Sequence, residues 1–294
     1  MTKWDEHVTL PVVGVLGKGV VAADDPIVTS DDLGLTRGDG CFDATRVVTS
    51  QTGTHAIDHL DAHLDRFAVS CARLSLPEPE RGRWVELIEA LLAEWHRPGE
   101  AMLKLMLTRG REASPASPIT GIASLTSTSA TVLRQREQGI AVVTLPRGTA
   151  SDTFTDAPWL LGGVKTLSYG VNVAALRTAA ERGAEDVLFT STDGFVLEAP
   201  TASAVWLTGS TLHTTPRDGT GILASITQQS LFSEAERNGF STQYTLGTVA
   251  ELRAADGVWL VSSGRGVARI HTLDGIGLPD CAETTTRIST LAGF

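Results

Sequence analysis

Gly162-Gly163-Val164-Lys165-Thr166-Leu167-Ser168-Tyr169 is the stretch on which the reading of this chain turns. A lysine set between two glycines and an apolar stretch, just ahead of a helix, is out of place on a solvated face. Low-dielectric surroundings disfavour an ammonium ion and make a neutral amine available for Schiff-base chemistry. The plainer alternative is a loop lysine whose stem packs on apolar groups while its head reaches water. The octapeptide alone leaves both open. Among 24 basic residues only Lys3, Lys18, Lys104 and Lys165 are lysines, so candidates for lysine chemistry are few.

The chain around it has 294 residues, which suggests about two domains at roughly 150 residues each. It is 42% hydrophobic and 20% charged, a balance that excludes disorder, collagen and coiled coil. No apolar run is long enough to span a membrane. Met1-Thr2-Lys3-Trp4-Asp5-Glu6 carries acids where a secretory signal needs bases. Cys41, Cys71 and Cys281 are odd in number and far apart in sequence, form no disulfide framework, and fit a reducing cytoplasm. The formal net charge of −10 argues against nucleic acid as a partner.

In the first third, Val12–Leu16 and Val20–Ala23 flank Gly17-Lys18-Gly19 as a hairpin. Val47–Thr49 and Thr54–Ile57 form a second around Ser50–Gly53. Apolar residues from Leu60 to Leu74, and from Trp84 to Trp95, recur at helical spacing. Met102–Thr108 reads as a strand. Ser, Thr, Pro and Ala then dominate 113–120, and the domain boundary is expected near 132–138, giving domains 1–133 and 134–294. Beyond it, Ile140–Leu145 is a strand and 170–182 a helix with Val171, Ala174, Ala175 and Thr178 on one face. Strands follow at 186–190, 194–198, 203–207 and 211–214, with a helix over 221–239 and a late strand at Val258–Val261. Strands joined mostly by hairpins and interspersed with helices predict two α+β domains rather than a doubly wound sheet.

Other stretches carry possible chemistry. Glu198 ends the apolar run Phe195-Val196-Leu197, where a carboxylate could keep a pyridine nitrogen protonated; a strand-end glutamate in water is the ordinary reading. Gly219-Thr220-Gly221 leads through Ser225 towards a helix whose amides could cradle a phosphate. Arg37-Gly38-Asp39-Gly40-Cys41-Phe42-Asp43 contains what is usually a tight turn. His55, His59 and His63 recur every four residues, but the pair on the helix lacks a third ligand, so a solvated helix face and no metal are expected.

In combination these segments resemble the class IV, fold-type IV pyridoxal-phosphate enzymes, a family of branched-chain and D-amino-acid aminotransferases and aminodeoxychorismate lyases. The anchors, from Val12 to Leu273, are Gly38-Asp39-Gly40-x-Phe42 with Arg46, His63-Leu64-Asp65-Arg66, Lys165–Tyr169, Glu198 with Thr201-Ala202-Ser203, and Gly221–Thr227. The resemblance implies a D-amino-acid-aminotransferase-like α+β fold: a smaller N-terminal α/β domain and a larger C-terminal domain, with pyridoxal 5'-phosphate in the cleft between them. It implies that Lys165 carries the cofactor and moves the substrate α-proton. Glu198 would pair with the ring nitrogen and Tyr169 would sit near the phenolic oxygen. Arg66, Ile226, Thr227 and Ser263 would bind the phosphate, and Arg37, Arg46, Arg109 and Ser262 the substrate. A homodimer acting on a small molecule is implied too.

The Cys41-Phe42 context and Val261-Ser262-Ser263 look most like the lyases. The expected activity is therefore conversion of 4-amino-4-deoxychorismate to 4-aminobenzoate and pyruvate in folate biosynthesis, with Arg265 a further cation for a substrate bearing two carboxylates. The alternative is a transaminase of branched-chain or D-amino acids with a 2-oxo acid acceptor. A cofactor-free binding protein on the same scaffold is the reading from another class. Four departures stand out: Arg37 for an aromatic and Asp43 for Glu, both expected to touch specificity, and Ser225 for Gly and Ala202-Ser203 for Ser-Asn near the cofactor.

Overall fold

Ten residues of Gly40–Thr49 and ten of Gly99–Thr108 pair antiparallel from Gly40↔Thr108 to Thr49↔Gly99, and this long ladder is the spine of one of two sheets. The computed structural model describes residues 10–113 and 119–294; the opening hexapeptide and most of the 113–120 tract lie outside them. The chain divides into two compact units, Met1–Ser129 with Lys165–Ser168, and Ala130–Val164 with Tyr169–Phe294.

The first unit contains β1 (Val12–Val15), β2 (Gly19–Val21), α1 (Leu33–Arg37), β3 (Gly40–Thr49), β4 (His55–Ile57), α2 (Leu60–Arg73), α3 (Arg81–Glu94), β5 (Gly99–Thr108) and β6 (Thr120–Ser127). Its sheet runs β2-β1-β6-β5-β3-β4. Side chains alternate across a strand. Cys41, Val47, Leu103, Leu105, Leu107, Ala123 and Leu125 therefore share one face and bury against Phe67, Trp84, Ile88 and Leu91 of α2 and α3. Phe67 meets Trp84 edge to face with ring centroids 5.2 Å apart.

The second unit holds α4 (Ala130–Gln138), β7 (Ile140–Pro146), α5 (Gly170–Glu181), β8 (Asp186–Thr190), β9 (Ser203–Thr208), β10 (Thr211–Thr214), α6 (Ile226–Arg237), β11 (Ser241–Tyr244), α7 (Val249–Ala254), β12 (Gly257–Ser262), β13 (Gly266–Leu273), β14 (Ile276–Gly277) and α8 (Ala282–Leu291). Its sheet runs β11-β10-β9-β12-β13-β7-β8, with β14 on β13. The β9–β10 and β12–β13 pairs are antiparallel, while β7 lies parallel to both β8 and β13. One apolar layer gathers Ile140, Leu188, Leu260 and Ile270; another gathers Leu231, Phe232, Trp259 and Ile288.

Several expectations change. The stretch 132–138 is not a linker but part of α4, so a division at 133/134 falls inside a helix. The Ser/Thr-rich Thr120–Ser127 is a strand between β1 and β5, and it packs against α3. Residues 194–198 make isolated bridges, Thr190↔Val196, Phe195↔Thr248 and Glu198↔Ser203, rather than a sheet strand. The helix expected from 221 begins at Ile226, because the Ser225 hydroxyl accepts the Gln228 N–H as its N-cap. On α5 the buried residues are Ala175 and Ala179, whereas Val171 is 68% exposed. No helix among the described residues is long and apolar enough to cross a membrane.

Leu103 is 1% exposed at the centre of the first core. Leu103→Ala is expected to cost about 2–5 kcal/mol, read as a lower denaturant midpoint at an unchanged slope.

Candidate active site

The Lys165–Ser168 segment continues the edge of β3 where β4 no longer covers it. Phe42 N–H donates to Lys165 O at 3.0 Å, Leu167 N–H donates to Gly40 O at 2.9 Å, and Cys41 bridges Thr166. Lys165 N–H reaches Ser70 Oγ on α2 at 3.3 Å. These backbone bonds fix the lysine's main chain, and its Nζ lies 4.4 Å from the centroid of the Phe42 ring. A cation over an aromatic face is attracted by the ring quadrupole.

One residue along β3, Asp43 turns to the opposite face and is 1% exposed. It accepts from Arg66 Nε at 2.8 Å and Nη2 at 2.7 Å, and its Oδ1 lies 2.7 Å from His63 Nδ1. His63 and Arg66 are three apart on α2, the spacing that shares a helix face. Burial works to raise the Asp43 carboxyl, but Arg66 and then His63 outweigh it and hold it below the usual range. Burial pushes the His63 imidazole down; Asp43 opposes this and Arg66 adds to it. The expectation of a solvated face for His63 is thus corrected: it is 2% exposed, because Asp43 supplies the buried acceptor that an imidazole N–H needs. The expectation that Asp43 tunes specificity is corrected with it, since its carboxylate is engaged by Arg66 and His63.

Cys41 and Cys71, distant in sequence, meet across the same strand–helix contact with Sγ atoms 3.3 Å apart and no disulfide. Their hydrogen bond and burial push the Cys41 thiol well up.

The nominated arginines are largely matched by carboxylates. Arg46, 8% exposed, donates to Asp58 Oδ2 at 2.7 Å and lies 3.5 Å from Glu100 Oε1. Arg109 pairs with Asp39 at 2.5 Å and donates to the Leu74 and Ser75 carbonyls. Arg37 is exposed and 3.7 Å from Glu112. Lys104, on the β5 residue paired with Ala44, places its Nζ 5.8 Å from the same Phe42 ring. The sequence counts it among four candidate lysines but gives it no substrate role; the period of two along β5 was the signal that places it on the Phe42 face.

The second unit carries the other nominated residues. Glu198 Oε2 accepts the Leu223 N–H at 3.0 Å, and its Oε1 lies 3.7 Å from Arg147 Nη1, a buried atom without a hydrogen-bond partner. Tyr169 precedes α5 and donates its hydroxyl to Pro200 O. Ile226 and Thr227 open α6, where first-turn amides have no partner within the helix. Thr227 Oγ1 is 2.9 Å from Ser263 Oγ, and Ser262 Oγ accepts the Arg265 N–H. Arg265 itself pairs with the buried Asp186. Among the described residues no group of three His, Cys, Asp or Glu is arranged around a metal ion.

Within the second unit, helix-terminal amides with two hydroxyls and a carboxylate offer, in kind, what an anion and a protonated ring nitrogen require. Arg66 and Lys165 in the first unit offer a fixed cationic fork and an amine. Each unit by itself thus carries groups of the kinds that pyridoxal 5'-phosphate requires.

The amino-transferase class IV family model matches residues 40–273, and the chain belongs to that family. It is a pyridoxal-phosphate-dependent enzyme of the lyase and transaminase kind. It is 39% identical over 262 residues to the bifunctional aminodeoxychorismate lyase / D-amino acid transaminase of Mycobacterium tuberculosis, covering 86% of this chain and 88% of that one. It is similar to the PLP-bound form of a hypothetical aminotransferase from the same organism, with TM-score 0.88, 38% identity and coverage of 96% and 98%. A fold IV-transaminase from Curtobacterium pusillum matches with TM-score 0.89, 37% identity and coverage of 97% and 98%.

Acid should weaken the fold in two windows. The unfolded chain takes up a His63 proton below about 6.5 that the folded protein refuses, so stability falls as pH drops through that value. The Asp43 contribution is present above 3.8 and is lost as the pH falls through its lower folded value. Denaturant midpoints between about pH 7.5 and 5.5 should decline in the wild type and less steeply in His63→Gln.

Proposed function

We propose that this enzyme converts 4-amino-4-deoxychorismate to 4-aminobenzoate and pyruvate. The observation that carries this reading is Lys104. Two of the chain's four lysines converge on the Phe42 ring, and no carboxylate pairs with Lys104 among the described residues, while Arg46 and Arg109 are each held by carboxylates. An exposed ammonium beside the reactive lysine suits a substrate with a second carboxylate. The name of the 39% identical relative, which joins this lyase activity to D-amino acid transamination, supports both this reading and the alternative of a transaminase on D-amino acids; branched-chain amino acids have no comparable support.

In this reading Lys165 would hold the cofactor at rest, and its Nζ, set free when the substrate amine takes its place, would accept the proton from the substrate α-carbon. The cofactor supplies an electron sink for the pair left there. Glu198 holds the proton on the ring nitrogen, with Arg147 and the Leu223 amide keeping its carboxylate in place. Arg66, the amides of Ile226 and Thr227, and the Thr227 and Ser263 hydroxyls hold the phosphate, and Tyr169 stands near the phenolic oxygen. Arg37, Arg109 and Ser262 remain candidates for the substrate, with Lys104 added; Arg46 is left out because its guanidinium is buried between two carboxylates. We take the enzyme to be a cytoplasmic homodimer acting on a small molecule.

Purified enzyme given 4-amino-4-deoxychorismate alone should release pyruvate; release only after addition of a 2-oxo acid, or none, would refute the lyase reading. Lys165→Ala should lose activity and the absorption band expected at about 410–430 nm for the lysine-linked cofactor. Lys104→Met should raise KM for this substrate roughly ten- to hundredfold with the band unchanged, and Lys104→Arg should recover most of the loss.

A further inference from the structure

The buried cluster of Asp43, His63 and Arg66 lies on the side of β3 opposite Phe42, and the proposed function gives Asp43 and His63 no task. Asp43 binds one edge of the Arg66 fork through Nε and Nη2, the two-point geometry that fixes the orientation of a guanidinium plane. The same carboxylate accepts from His63, and Oδ1 also takes the Ala44 N–H at 2.7 Å. The carboxylate is thus held by its own strand and by α2 together, and it cannot follow Arg66 if the arginine swings. Arginine carries a large rotamer entropy, and a side chain already fixed loses less of it on binding an anion.

Ser70, one helical turn beyond Arg66 on α2, accepts the Lys165 N–H, so the strand–helix pair that orients the arginine also anchors the lysine. We propose that Asp43, buttressed by His63, is a positioning residue that pre-sets Arg66 for the cofactor phosphate. This rests on Arg66 binding the phosphate, and it holds for lyase and transaminase alike. An opposing effect exists: the Asp43 charge repels a phosphate dianion and neutralises part of Arg66. The proposal is that orientation outweighs this repulsion.

The test compares pyridoxal 5'-phosphate with pyridoxal, which lacks the phosphate, as ligands of the apoenzyme, by equilibrium titration of the visible band. Asp43→Asn, close to isosteric, should weaken binding of the phosphorylated form roughly ten- to hundredfold and leave pyridoxal binding unchanged. His63→Leu should act in the same direction and serves if Asp43→Asn fails to fold. On an Arg66→Lys background, which has lost the fork, Asp43→Asn should add no further loss. Equal weakening of both ligands would reduce Asp43 to a structural role and overturn the proposal. So would unchanged or tighter binding of the phosphorylated form. If Arg66→Lys itself leaves the preference for the phosphorylated form intact, the premise about Arg66 fails; if it abolishes that preference while Asp43→Asn does not, only the positioning role fails.

Discussion

Backbone pairing of Lys165–Leu167 with Gly40–Phe42 is the constraint on which the rest depends. Four residues from the middle of the second unit's sequence join the first unit, and they do so through main-chain bonds that do not depend on side-chain identity. What makes the site specific is the strand's alternation. Cys41 and Asp43 face α2, Phe42 faces the lysine, and Gly40 leaves room for the segment to approach. An added Cβ at Gly40 would stand 2.5 Å from Leu107 O and 2.7 Å from Leu167 Cδ1, so this glycine is needed for space rather than for its backbone angle.

The parts of the fold that were legible share a physical cause. The β1–β2 and β3–β4 hairpins and the helices α2 and α3 lie where periodicity is strong and turn chemistry sharp, and their extents stand close to those expected, as does the extent of α5 though not its buried face. The missed strand β6 is made of Gly, Ala, Ser and Thr beside only Ile122 and Leu125. Its burial comes from neighbours on both edges, and composition cannot report that. The overreach at 194–198 has the converse origin. Phe195–Leu197 is apolar because it is buried, with Val196 N–H bonded to Gly247 O outside any ladder. Apolar runs signal burial first and strand geometry second.

The candidate site divides along the same line. Lys165, Glu198 and the head of α6 could be singled out because amine, carboxylate and glycine-rich loop each carry a chemical signature. Asp43 and His63 could not be paired in advance. They are 20 positions apart, and nothing in the sequence says that an aspartate on a strand will receive an arginine and a histidine from a helix. A histidine repeating every four residues suggested a wet face, yet the stripe His63, Leu64, Phe67, Ser70, Cys71 is the buried one. Polar residues at i and i+7 within an apolar stripe were the signal that went unread.

Charge distribution explains why arginine dominates the nominated cations while lysine carries the functional argument. A guanidinium is always charged and binds carboxylates two-pronged, and Arg46, Arg66, Arg109 and Arg265 each do so or lie against at least one acid. Such pairs fix geometry, and in doing so they lower the net charge presented to a substrate. A flexible ammonium paired with no acid keeps its full charge for an incoming anion. Lys104 is the cation on the Phe42 face that meets this description among the described residues, and it stands on the central strand of a rigid ladder rather than on a loop. A charge so placed is pre-positioned without being neutralised, the combination that the proposed lyase reading asks of a group meeting a second substrate carboxylate.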